Sequence, residues 1–186
     1  MDALDLMLRR ESALKLDSPG PSSAELDLIF DSAVRAPDHG RLRPWRFVAI
    51  GEGRRAAFGT VMADSLLRRD PAATVAAVQR ERDKAFRAPV IVVVAARVRR
   101  GHAIPEAEQV ASACAAAQTI MLAAPALGYG AVWKTGAPAY DPAVKTALGL
   151  AADDHIAGFL YIGTQVGGAS PVPRPDARDF VTIWAG

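Results

Sequence analysis

From Val110 to Trp133 the chain carries no charged residue, and few features constrain its fold more. The length of this stretch raises the question of a membrane span. Ser112, Gln118, Thr119 and Pro125 interrupt an alanine-rich run, however, which argues for a helix buried in protein. Pro105 suits the first turn of that helix, and Gly128-Tyr129-Gly130 closes it just past Leu127. A helix that is small or apolar on every side needs either a large core or a second chain against it. At 186 residues the chain is long enough for one real core but short for hiding such a helix alone, so dimerisation is the simplest expectation.

The strongest strand signal is Val90 to Ala96, a continuous β-branched run that implies burial on both faces and helices on each side of a sheet. Further strands are predicted over Trp45 to Ile50, Ala131 to Trp133 and Ile156 to Thr164. Helices are expected over Asp2 to Arg10, then from the capping-box pair Ser22 and Glu25 as far as Pro37. Two more follow from Arg54 to Arg69 and from Ala72 to Phe86, the latter opened by Asp70-Pro71, and a last one begins at Asp141-Pro142. A Pro/Gly-rich stretch, Gly167 to Pro175, leads to Phe180-Val181-Thr182-Ile183-Trp184, which is too apolar to float free and is expected to dock on a sheet edge, its own or a partner's.

Composition narrows the class. Lys and Arg number 22 against 20 Asp and Glu, so the formal net charge of +2 argues against a dedicated polyanion binder. One cysteine, Cys114, makes neither an internal disulfide nor a thiolate zinc site and reads as an inert buried thiol; a cytoplasmic protein is expected. His102 lies near Glu106 and Glu108, yet no metal-binding His spacing accompanies it, and a solvated helix start is the simpler reading.

Two motifs invite rival functions. Gly51-Glu52-Gly53-Arg54-Arg55-Ala56 has the G-x-G-x-x-A pattern of a Rossmann-type NAD-dependent reductase, but a second parallel strand ending near Asp70 is missing from the pattern. Arg35, Arg41, Arg43, Arg46, Arg54 and Arg55, with Trp45 and Phe47 among them, outline a nucleic-acid-binding module, although Asp38 and Glu52 interrupt the run. A third constellation, Arg35-Ala36-Pro37-Asp38-His39, places an Arg and a His in one turn beside a rigid Pro, an arrangement suited to the oxygens of a planar or phosphorylated ligand.

That turn belongs to a longer series. Met1-Asp2-Ala3-Leu4, Arg10-Glu11-Ser12, Arg35 to His39, Pro44-Trp45, Arg87-Ala88-Pro89, Ala126 to Gly130, Trp133-Lys134-Thr135-Gly136 and Gly158 to Thr164 occur in this order and spacing. In this the chain resembles the FMN-dependent nitroreductases, in particular their short bacterial NAD(P)H nitroreductase branch, over nearly its whole length. The resemblance implies an α+β fold, a central mainly antiparallel sheet surrounded by helices, in an intertwined homodimer. One domain would span residues 1–186, with 165–186 a tail packed on the partner subunit.

It also implies a site. Arg10, Glu11 and Ser12 would bind FMN from one subunit, Arg10 and Ser12 through phosphate or ribityl oxygens and Glu11 through its backbone. Glu11 stands where relatives often have a basic residue, so its carboxylate is expected to face away from phosphate. Arg35 and His39 would reach the same flavin from the other subunit. Trp133, Lys134, Thr135 and Gly136 would pass along the isoalloxazine, with Thr135 or Gly136 offering an N–H near N5 and Lys134 a cation near O2 or phosphate. Ala123, Ala124, Pro125, Ala126, Leu127 and Gly128 match a nicotinamide-nucleotide segment, in which Pro125 should kink the helix. The implied reaction passes a hydride from NADH or NADPH through flavin N5 to an electron-poor small molecule such as a nitroaromatic or quinone, by ping-pong kinetics, with no side chain, metal, nucleic acid or membrane required.

Overall fold

Every residue of the strand Val90–Ala96 (β3) is buried, as its unbroken apolar run requires. A computed structural model describes residues 2–168 and 173–186; residues 169–172, within the Pro/Gly-rich stretch, lie outside the described residues. The other elements are α1 (Ala3–Arg9), β1 (Leu16–Asp17), α2 (Ser23–Ala33), β2 (Trp45–Ile50), α3 (Arg55–Arg69), α4 (Val75–Asp83), α5 (Glu106–Ala126), β4 (Gly130–Lys134), α6 (Pro142–Ala147) and β5 (His155–Gln165).

All sheet pairings among the described residues are antiparallel. β3 lies between β2 and β5, and the eleven-residue β5 carries β4 and then β1 along its other edge. Successive β3 side chains point to opposite faces. Ile91, Val93 and Ala95 meet Phe58 and Met62 of α3 and Val144 of α6. Val92, Val94 and Ala96 meet Ile29 and Ala33 of α2 and the Ala113 to Ala124 face of α5. The expected α+β sandwich of helices around a sheet is therefore what forms.

Local signals explain most boundaries. Asp2 accepts the Leu4 N–H at 3.1 Å at the start of α1, and Ser22 and Glu25 form a reciprocal capping box on α2. α5 ends in a Schellman turn, with the Tyr129 N–H on the Ala124 carbonyl at 2.9 Å and Gly128 at φ 89°. Helical backbone continues through Pro125 to Ala126, although the proline has no N–H to donate to the Met121 carbonyl.

Several points differ from the sequence reading. α4 opens on Thr74, whose hydroxyl accepts the Ala77 N–H at 3.2 Å; Asp70 instead closes a turn on the Ala72 N–H. β1 is absent from the sequence reading, since two residues carry no periodicity. The Rossmann reading fails because β2 and β3, the strands flanking Gly51 to Ala56, run antiparallel. The Phe180 to Trp184 segment forms no strand within this chain, and Ile183 and Trp184 are each 87% exposed.

Asp141 ties α6 to α3. Burial opposes its ionisation, but hydrogen bonds from the Ala143 N–H at 2.8 Å and from Arg68 at 3.0 Å hold its carboxyl below the ordinary carboxylate range. A depressed folded value contributes stability above the unfolded pKa of about 4, and that contribution is lost as pH falls. Asp141→Ala is expected to lower stability by about 1–2 kcal/mol at pH 7 in urea titration, and by less at pH 3.

Candidate functional site

The segment between α1 and β1 is fixed to the sheet at both ends: the Ala13 N–H donates to the Ala131 carbonyl at 3.0 Å and the Val166 N–H to the Lys15 carbonyl at 3.1 Å. It forms one wall of a cleft of about 540 Å³ whose other walls include Phe86, Arg87, Val132 and Lys134. Val132 and Lys134 share a face of β4 because they are two residues apart. A second groove, about 350 Å³, adjoins it through the shared residues Ser12 and Leu14 and is lined by Arg10, Glu11, Pro173, Arg174 and Pro175.

Arg174 crosses from the tail to donate to the Arg10 carbonyl at 2.8 Å and the Arg9 carbonyl at 3.2 Å. Glu11 lines this groove, and its carboxylate accepts a hydrogen bond from the Gln165 amide at 3.0 Å. Beneath the larger cleft the Arg87 guanidinium stands 6.0 Å from the centre of the Tyr161 ring. Burial pushes the Tyr161 phenol up and the neighbouring Arg87 charge acts against that rise, so the hydroxyl stays protonated at neutral pH.

Trp133 faces the opposite side of β4 from Lys134. A bulge in β5 between the partners of Val94 and Ala95 leaves the Ala157 carbonyl free, and the Trp133 indole N–H donates to it at 3.0 Å. The indole lies against Gly158, where a Cβ would come within 2.0 Å of the ring nitrogen. Trp133 thus packs on the face of the sheet opposite to the one from which Lys134 lines the larger cleft. Thr135 and Gly136 follow as exposed backbone, and Gly136 adopts φ 122°, a conformation glycine accepts readily.

Arg35 and His39 lie apart from these clefts. Arg35 lines a groove with Ala123, Ala126 and Leu127, while His39 Nδ1 is 2.6 Å from Glu108 Oε2. Pro125 lines a small crevice with Arg10 and Glu11, so the Ala123 to Gly128 segment borders both regions. One chain therefore brings together Arg10, Ser12 and Lys134, and leaves Arg35 and His39 on the α2–α5 surface.

Arg174, Lys15, Phe86 and Arg87 are not among the site residues to which the sequence points. Arg87-Ala88-Pro89 gave the one available signal, an Arg beside a rigid Pro before the central strand. Among the described residues no His, Cys, Asp and Glu group suits a metal, and no helix is long and apolar enough to cross a membrane. The stacking groups of a nucleic-acid module are engaged elsewhere. Trp45 is buried, Phe47 stacks on Phe30 at 5.6 Å, and Arg46 and Arg55 donate to backbone carbonyls.

An α+β domain with an antiparallel sheet, helices on both faces and a cationic cleft at the β4–β5 edge defines the class. Residues 7–164 match the model of the nitroreductase family. The protein named "Putative NAD(P)H nitroreductase YdjA" of Escherichia coli K12 is 38% identical over 99% of this chain and 100% of its own. A nitroreductase-like family protein from Bacillus cereus superposes with a TM-score of 0.87 at 22% identity, over 100% of this chain and 97% of that one. A nitroreductase with bound FMN from Bacteroides fragilis superposes at 0.75 and 19% identity, over 99% of both chains. This chain belongs to the nitroreductase family.

Gly158→Ala is expected to displace the Trp133 indole, because the contact falls on a ring wedged in the sheet. Denaturant titration should show a loss of about 1–3 kcal/mol, accompanied by a change in tryptophan fluorescence.

Proposed function

We propose that this protein is an FMN-dependent NAD(P)H oxidoreductase acting on electron-poor small molecules such as nitroaromatics or quinones. The reading is carried by one observation: two adjoining clefts share Ser12 and carry Arg10 and Arg174 in one and Lys134 in the other. That donor set fits FMN. Guanidinium groups and a hydroxyl suit a phosphate and ribityl oxygens, and the roomier apolar-walled cleft suits a planar ring. The YdjA name and the FMN-bound Bacteroides fragilis structure support the same reading.

When bound, FMN supplies hydride transfer between the two substrates. The chain's residues bind and orient. Arg10 and Ser12 hold the phosphate end with Arg174 beside them, while Glu11 contributes backbone only. Lys134 places a cation at the ring, and Thr135 or Gly136 offers an exposed backbone N–H. Trp133 acts by bracing β4 from behind. The Ala123 to Gly128 segment serves the nicotinamide nucleotide, and the two substrates take turns at one face, which gives ping-pong kinetics.

A homodimer completes the site in this reading. Ala107, Ala111, Gln118 and Ala126 are exposed along the outer face of α5, and α1 buries none of its residues while exposing Leu4, Met7 and Leu8. Apolar surface on this scale calls for a covering chain. Arg35 and His39 then reach the flavin of the other subunit, with Glu108 orienting His39, and the 165–186 tail packs on the partner. Residues 1–186 act as one domain.

Purified protein should be yellow and release about one FMN per chain on heating, read by absorption and mass. A colourless protein that takes up no added FMN overturns the reading. Mixing Arg10→Ala and Arg35→Ala chains should restore one intact site per heterodimer. FMN occupancy well above either parent checks this, and heterodimers that form without such recovery contradict a two-chain pocket.

A further inference from the structure

The larger cleft holds more positive charge than a flavin needs. Of the residues that line it, Lys15, Arg87 and Lys134 are cationic and none is acidic. Among the described residues none of the three forms an ion pair, whereas Lys84, close by in the chain, is paired with Glu81. Unpaired cations gathered in one concave site raise the local concentration of anions and bind them by charge-assisted hydrogen bonds.

The phosphate of FMN has its own groove, lined by Arg10 and Arg174. The ring system that would fill the larger cleft is uncharged in its oxidised form, and Lys134 already serves it in the reading above. Lys15 and Arg87 are left over. Arg87 is the better placed of the two. Its guanidinium rests on the Tyr161 ring at 6.0 Å, so a rigid buried side chain supports it from below while it remains exposed to the cleft. A planar guanidinium held in this way matches the two oxygens of a carboxylate.

We propose that Arg87, assisted by Lys15, selects an aromatic electron acceptor that carries a carboxylate or similar fixed negative charge. This rests on the flavin reading above and names the substrate class of that same site. The cation–π support makes Arg87 a specificity residue rather than part of the hydride path, so its loss should change which acceptor binds and not whether FMN binds. NADH and NADPH are also anionic, and the test separates them from the acceptor.

The probes are 4-nitrobenzoate and 4-nitrobenzyl alcohol, which differ in charge on the same ring, titrated calorimetrically into FMN-loaded protein without reductant. The wild-type protein should bind the carboxylate about tenfold more tightly, as one charge-assisted contact implies, and added salt should narrow the gap. Arg87→Gln should bring the two probes within about threefold, and Arg87→Lys should keep most of the preference. FMN content per chain should be equal in all three proteins. Equal binding of both probes by the wild-type protein overturns the proposal, as does an unchanged preference in Arg87→Gln. Loss of FMN from that variant, or weaker NADH or NADPH binding with nitrobenzoate binding intact, assigns Arg87 elsewhere and also overturns it. A wild-type protein that takes up no FMN instead overturns the flavin reading on which the proposal rests.

Discussion

β5 is the strand on which the remainder of the molecule depends. It hydrogen-bonds to β3 along one edge and to β4 and β1 along the other, so the sheet would separate into parts without it. The same strand sets the geometry of the clefts. Its bulge frees the Ala157 carbonyl for Trp133, and its Tyr161 ring lies under Arg87. Gly163 permits a further approach, since a Cβ there would come within 2.8 Å of the Asp17 carbonyl where β1 joins. Packing of one strand thus positions three separated pieces of chain: the turn before β1, the turn before β3 and the end of β4.

Those pieces differed in how plainly the sequence declared them. β3 was legible because burial on both faces demands an unbroken apolar run, and α2 because Ser22 and Glu25 are a local signal with a local cause. β1 was not legible, since two residues have no period and gain their strand character only from β5. Asp70 was mistaken for a helix cap because Asp-Pro favours both caps and turns, and the choice fell to Thr74 through contacts of its own hydroxyl.

The site follows the same division. Arg10-Glu11-Ser12 and Trp133 to Gly136 stand out as ordered fragments, and the chain's membership of the nitroreductase family agrees with them. Arg174 has no local signal to set it apart, because a Pro-rich tail carries no period, and only the folded chain brings it to the Arg10 and Arg9 carbonyls from 164 and 165 residues away. Trp133 and Lys134 are adjacent on β4 and so point to opposite faces of the sheet. Lys134 lines the cleft on one face while the indole packs over Gly158 on the other, and which face each residue takes depends on register.

Charge at the cleft is a matter of arrangement rather than amount. A net charge of +2 over 186 residues places the protein near neutrality and discourages any reading as a general polyanion binder. The fold then sorts that nearly balanced set. Glu11 is drawn off to Gln165, Glu81 to Lys84 and Glu52 to Arg55, while cations from the α1–β1 segment, the β3 approach, β4 and the tail meet at two adjoining grooves. Selectivity for a small anion needs such local separation, because screening removes the influence of charges more than about 10 Å away at ordinary salt. A flavin carries out the same chemistry on many partners. The side chains around it decide which partner arrives, and here those side chains come from four stretches of sequence that β5 and the β1 turn hold together.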